Sequence, residues 1–246
     1  MRAFFTAATT LGLVLAACAV GGCANGDHPP TPTTASFDMQ PAPKRMQTGR
    51  LSEIGQSLAR LWGDTPLEAV RMMENKDSAD DRRKGIYTLM QRAFAQQEPY
   101  TRRYRQIAQN DPDASVRAAA IRASNASRDK AAVPVFVAAL ADKSDMVRLQ
   151  AAKALSNIPD SSAAEPLTRV LGNLAETRDV RIAASEALRH YRNIDVARVL
   201  AGTVAGRDFS IAWQSRWSLR ILTGRDLGYD ERAWLEYIAG PHKPLG

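Results

Sequence analysis

The stretch "DPDASVRAAAIRAS" (Asp111–Ser124) decides the fold because its pattern returns later in the chain. An acidic turn precedes a Val-Arg pair, and an alanine-rich run with helical periodicity follows. The same arrangement occurs in "VRLQAAKAL" (Val147–Leu155) and in "VRIAASEAL" (Val180–Leu188), with the Val-Arg pairs 31 and then 33 residues apart. Such spacing is typical of an array of helical repeats.

Two weaker copies extend the array, "DRRKGIYTL" (Asp81–Leu89) and "IAWQSRWSL" (Ile211–Leu219). Each copy follows another helix-like segment that ends in a turn, and no segment alternates apolar and polar residues as a half-buried strand would. We therefore predict one all-α region over residues 51–246. Its helix pairs are expected at about 64–92, 99–126, 131–157, 162–190 and 194–222.

Two columns of this alignment indicate how the helix pairs pack. The Val of each Val-Arg pair, or the residue aligned with it (Asp81 and Ile211 in the weaker copies), is called the Val position. A small residue follows four positions later in every copy: Gly85, Ala120, Ala151, Ala184 and Ser215. This pattern predicts a close approach of neighbouring helices. The residue after the Val position is Arg in four copies: Arg82, Arg117, Arg148 and Arg181. Each has an Asp nearby in the turn: Asp80 or Asp81, Asp113, Asp145 and Asp179. The pattern predicts a ladder of ion pairs and helix caps between successive units.

These features resemble the HEAT-repeat family, in the form whose second helix follows "D-x-x-V-R-x-x-A-A-x-A-L". The resemblance extends over roughly 66–222 and is strongest in the three central units. It implies a right-handed α-solenoid of about five helix pairs whose second helices line the concave side. It also implies a scaffold or adaptor role, as is usual for such stacks.

The stretch "LTGRDLGYDERAWLEYI" (Leu222–Ile238) is similar to the ending that follows the last repeat of bacterial HEAT-like proteins. We expect a C-terminal cap at 223–240, in which Gly224 ends one helix and Asp230 begins another. Trp234, Leu235 and Ile238 are expected on the apolar side of that last helix.

The N-terminal residues have the pattern of an export signal. Residues 1–17 combine Arg2 with a long apolar run, and "LAAC" (Leu15–Cys18) resembles the lipobox of bacterial lipoproteins. We predict lipidation at Cys18, with Cys23 as the alternative; an ordinary signal peptide with two incidental cysteines is the competing interpretation. These are the only cysteines, so the folded region has no thiol for a disulfide, a zinc site or catalysis.

Residues 18–50 are predicted to be a lipid-anchored, disordered, proline-rich tether. Neither Cys18 nor Cys23 is followed by the Asp that marks inner-membrane retention in enterobacteria. By that resemblance we expect an exported protein anchored at the outer membrane and facing the periplasm. A lipid anchor makes a transmembrane helix unnecessary.

The third and sixth residues after the Val position are expected to face outward on the concave side. They form the predicted partner-binding stripe: Lys84, Tyr87, Arg122, Gln150, Lys153, Glu186, Gln214 and Trp217. Its first half is basic, which favours an acidic protein partner. A merely solvated face is the alternative. Trp213 and Trp217, four residues apart, are either an aromatic docking site or part of the packing under the cap.

The full chain carries a formal net charge of +7. It contains no phosphate-binding loop, nucleophile elbow or metalloprotease motif, so we assign no catalytic residue, metal or cofactor. The expected function is a non-enzymatic, protein-binding scaffold or adaptor at the bacterial cell envelope. One alternative is a lyase-like or accessory subunit acting on a cofactor-bearing protein, since some HEAT-like proteins are bilin lyases. Another is nucleic-acid binding, against which the export signal argues.

Overall fold

The computed structural model describes residues 65–240, which belong to one compact unit. The predicted signal peptide, the tether, Cys18 and Cys23 lie outside the described residues. Within 65–240 the chain forms eleven α-helices and three short 3₁₀ helices, and no strand occurs in that range. The predicted all-α class is therefore confirmed.

Ten of these helices form five successive pairs. The first pair is α1 (Pro66–Met73) and α2 (Ala79–Met90), and the second is α3 (Tyr100–Asn110) and α4 (Ala114–Ala126). The remaining pairs and the last helix are α5 (Val133–Ala139) with α6 (Asp145–Asn157), α7 (Ala164–Gly172) with α8 (Arg178–Leu188), α9 (Ile194–Val204) with α10 (Phe209–Thr223), and α11 (Glu231–Ala239). The 3₁₀ helices are Ala93–Gln96, Lys130–Ala132 and Ser161–Ala163.

The pairs stack through their second helices. Each second helix packs against the next one along the chain, from α2 through α4, α6 and α8 to α10, whereas contacts between successive first helices are sparser. The final helix, α11, packs on α9. This is the α-solenoid of five helix pairs with a C-terminal cap that the sequence predicts.

Local capping fixes where the helices begin and end. The Thr65 hydroxyl accepts a hydrogen bond from the Glu68 N–H at 3.2 Å, and Pro66 occupies the first helical position. The Asp113 carboxylate accepts from the N–H groups of Ser115 and Val116, at the start of α4. Gly224 ends α10 with φ of 70°, a left-handed conformation that glycine adopts without the steric cost of a Cβ.

The small residues four positions after the Val position, which we call the small column, are buried between helices. Ala120, Ala151, Ala184 and Ser215 have no exposed surface. At Gly85 the approach is close, because an added Cβ would lie 2.4 Å from the backbone N of Met73 and 2.5 Å from the carbonyl O of Ala69. Neighbouring helices therefore come together through these positions, as the sequence predicts.

The cap buries Trp234 completely, and its indole N–H donates to the carbonyl O of Gly228 at 3.0 Å. The Asp230 carboxylate caps α11 by accepting from the N–H of Ala233 at 3.1 Å. Ile238 is also buried, but Leu235 is 38% exposed, so its expected place on the apolar side was wrong. Leu235 lies about 100° around the helix from Trp234, beyond the face that contacts α9.

In the described range 65–240, no helix has the length and apolarity to cross a membrane.

Candidate functional site

The repeated arginines form a ladder of bidentate ion pairs between units. Arg82 donates from Nε and Nη2 to the Asp111 carboxylate at 2.7 and 2.9 Å. Arg117 pairs with Asp142 at 2.9 and 2.8 Å in the same way. Arg148 pairs with Glu176 at 2.7 and 2.8 Å. Each arginine of one unit thus holds an acid in the turn of the next unit.

The ladder is continuous because each turn serves two arginines. The carboxylate of Asp142 binds Arg117, while its backbone carbonyl accepts from Arg148 at 2.8 Å. In the same way, the carboxylate of Asp111 binds Arg82, and the backbone carbonyl of Asp111 accepts from Nη1 of Arg117 at 2.9 Å. The ladder therefore connects the turns of units one to four through side-chain and main-chain contacts together.

The acids that were expected to pair with these arginines have other partners. Asp113 caps α4, Asp80 pairs with Arg83 at 2.8 Å, and Asp145 accepts from the N–H of Met146. The ladder acids instead lie one or two residues before the N-caps of the second helices. Their side chains are mostly buried; Arg117 and Asp142 are only 7% and 15% exposed.

Burial and pairing act in opposite directions on the ladder acids. Burial by itself raises the pKa of Asp142, but the hydrogen bonds from Arg117 and from the Ser144 N–H outweigh it, so the pKa is lowered. Glu176 behaves alike, with Arg148 and the Thr177 N–H as its donors, and its pKa is also lowered. Both carboxylates are charged at neutral pH, and the ladder is a structural element.

The fourth arginine has a different partner. The Nε of Arg181 donates to the carbonyl O of Leu171 at 2.9 Å. The acid in the turn of the fifth unit, Asp208, instead caps α10 and lies 3.2 Å from Arg178. The regular ladder thus ends where the repeat pattern of the sequence weakens.

A groove along the second helices brings together five of the eight predicted partner-binding residues. Its volume is about 530 Å³, and these five residues line it: Tyr87, Arg122, Gln150, Lys153 and Glu186. They come from α2, α4, α6 and α8, so the groove crosses four consecutive units. Asn125 and Asn157 also line it, and their side-chain amides are hydrogen-bonded at 3.3 Å across two units. We call it the second-helix groove.

Arg122 is held at the centre of the second-helix groove by neutral groups. Its Nη1 donates to the Tyr87 hydroxyl at 2.6 Å, and its Nε donates to the Gln150 side-chain oxygen at 3.2 Å. Neither Arg122 nor Lys153 lies within 4.0 Å of a carboxylate of the described residues, unlike the ladder arginines. Among residues 65–240, the one acid that lines the groove is Glu186, and it is paired with Arg189 at 3.0 Å. The groove thus presents two uncompensated cations.

The other three residues of the predicted stripe lie apart from this groove. Lys84 is exposed on α2, and Trp217 is 42% exposed on α10. Gln214 is only 8% exposed, so its expected outward orientation was wrong; its amide lies 3.5 Å from the Ser218 hydroxyl. The third position after the Val lies about 60° around the helix from the sixth and faces the preceding second helix.

The two neighbouring tryptophans of α10 stack on each other at the surface. The ring centroids of Trp213 and Trp217 are 6.1 Å apart, with an interplanar angle of 4°. The guanidinium of Arg220 lies 5.0 Å from the centroid of Trp217. Both indoles are nearly half exposed, so the buried tryptophan under the cap is Trp234 and not this pair.

No group of three or more His, Cys, Asp or Glu side chains in residues 65–240 is arranged to hold a metal ion. The side chains that the structure does bring together there form a basic groove and an exposed aromatic surface.

Comparisons with known proteins agree with this architecture. A family model described as HEAT repeats matches residues 101–189, which run from the first turn of α3 to the end of α8. The X-ray structure of the Escherichia coli protein YibA is similar, with a TM-score of 0.52 and 23% sequence identity over 74% of this chain and 67% of that chain. At this identity the likeness shows the fold alone. No curated protein sequence matches.

Residues 101–189 are therefore similar to HEAT repeats, and the described region as a whole is an α-solenoid of helix pairs. Stacks of this class commonly mediate protein–protein interaction through their extended surface.

Proposed function

We propose that this chain is a non-enzymatic scaffold or adaptor that binds an acidic protein segment in the second-helix groove, at the bacterial cell envelope. The observation that carries the proposal is the pair of cations in that groove, Arg122 and Lys153. Neither has a carboxylate partner in the described residues, although the same stack pairs its ladder arginines bidentately. A carboxylate of a bound partner would supply the counter-charge that Arg122 and Lys153 lack.

The surroundings of Arg122 suit an incoming carboxylate. Tyr87 and Gln150 engage its Nη1 and Nε, which fixes the direction of the guanidinium plane. No hydrogen bond from Nη2 to a described residue accompanies these two, so Nη2 has the capacity to donate to a partner. A preoriented guanidinium loses less side-chain entropy when it binds a carboxylate than a free one does.

Charge reversal at Arg122 and Lys153 together is expected to weaken capture of the partner. We would identify the partner by crosslinking in intact cells followed by affinity purification, and then compare capture by the parent and by R122E/K153E. Capture by the double variant should fall, and the difference should be larger at low salt because screening is weaker there. The melting temperature should change little, since both side chains are exposed.

The matched control is R71E/K130E, which makes the same change in net charge. Both of its side chains are exposed and neither lines the second-helix groove. This variant should capture the partner as well as the parent does. Equal capture by all three proteins at both salt concentrations would place the partner on another surface.

The envelope location is the second part of the proposal, and it is supported by the sequence alone. It rests on the apolar run before "LAAC" (Leu15–Cys18), and it places a lipid on Cys18, or on Cys23 as the alternative, with the chain on the periplasmic side of the outer membrane. Mass spectrometry of the mature N-terminus tests it directly. We expect a diacylated or triacylated cysteine as the first residue, and an unmodified N-terminus beyond Ala24 would refute both the lipidation and the location.

A further inference from the structure

The last second helix, α10, carries an exposed apolar stripe that the proposed function does not use. Four side chains spaced four residues apart form it: Phe209, Trp213, Trp217 and Ile221, which are 68%, 49%, 42% and 48% exposed. Residues four apart are neighbours on a helix surface, so these four side chains form one slanting row. We call them the α10 stripe. A contiguous exposed patch of this kind marks an interaction surface.

Inner units bury the position that corresponds to Trp213, although they expose Arg122 and Lys153 at the position of Trp217. Trp213 is the second residue after the Val position, where the units before it have Ala118, Leu149 and Ile182. Ala118 is only 3% exposed, and the other two pack against the core. This side of a second helix faces the following unit, as the 3.0 Å hydrogen bond between Ser185 of α8 and Ser215 of α10 shows.

In the described part of the chain, no second helix follows α10. The last helix, α11, packs on α9 and leaves the Trp213 side of α10 exposed. The position next to this side is the one that a further second helix would occupy. The occupant that fits it is therefore a helix with an apolar stripe of its own.

The charges beside the stripe are already engaged within the chain. Arg216 donates to the Asp226 carboxylate at 2.8 Å from both Nε and Nη2, and the Nε of Arg220 lies 3.4 Å from the same carboxylate. Arg216 also lies over the ring of Tyr229, 4.8 Å from its centroid. An apolar contact here would not bury an unpaired charge, which is the usual cost of such a contact. In this respect the surface differs from the second-helix groove.

We propose that the α10 stripe packs against the α10 stripe of a second copy of this chain, across a two-fold axis. With the two helices antiparallel and the axis beside Ser215, Trp213 of one copy meets Trp217 of the other, and Phe209 meets Ile221. The stripe is thus complementary to itself, as a two-fold interface requires. Its four-residue spacing presents the ridge that interdigitates in the commonest class of helix packing, at a crossing angle of about 50°.

The exposed area limits the size of this contact. Large apolar side chains bury roughly 150–250 Å² each, so four that are about half exposed offer about 400 Å² per copy. A stable interface buries about 800 Å² per partner, of which the stripe supplies about half. The remainder would come from its surroundings, including Tyr229 and Arg220. We therefore expect a dimer that dissociates in the micromolar range, at about 1–100 µM.

Sedimentation velocity of the purified full chain over that concentration range tests the proposal. The parent should pass from monomer to dimer as its concentration rises. The variant W213E/W217E should dimerise at least about 100-fold more weakly, because it places charges at the centre of an apolar contact. The control is Leu67→Glu, which removes another exposed apolar side chain, 61% exposed on α1, and it should dimerise like the parent.

A second measurement does not depend on the stability of the glutamate variant. A photo-crosslinking phenylalanine analogue in place of Trp217 in the full chain, expressed in cells, should give an adduct between two copies. Mass spectrometry should place that adduct on α10. A parent that stays monomeric at all concentrations, or adducts formed only with lipid or with a different protein, would overturn the proposal. None of these outcomes depends on the partner of the second-helix groove.

Discussion

Replacing Arg117 by alanine is expected to lower the free energy of unfolding by about 3 kcal/mol, the lower end of the range for removing one partner of a buried ion pair. The loss has two parts. The Asp142 carboxylate, only 15% exposed, would lose its bidentate partner while remaining buried. The carbonyl groups of Asp111 and Pro112, which also accept from Arg117, would lose a donor. Urea denaturation followed by circular dichroism at neutral pH measures the difference.

The pH dependence of this effect separates the ion pair from simple packing. The pKa of Asp142 is lowered in the folded chain from its ordinary value of 3.8, so the pair stabilises the fold above that pH. The contribution is lost as the pH falls through the lowered pKa. The difference between parent and Arg117→Ala should therefore be largest at neutral pH and should shrink below about pH 4. A difference that stayed constant down to pH 2 would mean that lost packing, not charge, explains the effect.

An exposed ion pair on α11 supplies the control. Arg232 lies 2.8 Å from Glu236, and the two side chains are 88% and 66% exposed. Arg232→Ala should change the free energy of unfolding by less than about 0.5 kcal/mol, because water already solvates both charges. An equal loss in the two variants would show that removing any arginine destabilises this chain.

The features that sequence alone predicts are those that the core enforces. Val116, Val147 and Val180 are buried in the same place of successive units, and the small residues four positions later are buried where helices cross. Both constraints recur once per unit, so a single chain displays them several times. The sixth position after the Val was predicted correctly as outward-facing for Arg122 and Lys153 for the same reason.

What the sequence does not reveal depends on the offset between neighbouring units. The acid that pairs with Arg117 is 25 residues away, and the one that pairs with Arg82 is 29 residues away. Each turn has two acids that could pair with the arginine of the preceding unit. Which of them does so depends on how far neighbouring units are displaced relative to each other. Gln214 is similar, since a rotation of about 60° around α10 decides whether it faces solvent or α8. The α10 stripe could be recognised as aromatic, but its exposure depends on where α11 packs.

The same substitution, glycine to alanine, is expected to have opposite effects at two helical positions. Alanine favours a helix interior over glycine by about 1 kcal/mol, so both changes gain that amount locally. At Gly85 the new Cβ would lie 2.4 Å from the Met73 N and 2.5 Å from the Ala69 O, both backbone atoms of α1. The two helices must then separate, which costs about 1–3 kcal/mol or somewhat more. We expect Gly85→Ala to lower the free energy of unfolding by about 2 kcal/mol overall.

At Gly202 on α9, the nearest atom to an added Cβ is a carboxylate oxygen of Glu231, 3.8 Å away. That distance is an ordinary van der Waals contact with a side chain, so only the helix propensity remains. Gly202→Ala should therefore raise the free energy of unfolding by about 0.5–1 kcal/mol. Urea denaturation of the two variants and the parent measures both changes in the free energy of unfolding, which should have opposite signs. If Gly85→Ala also proved stabilising, α1 and α2 would not cross at this residue, and the small column would have another cause than close helix packing.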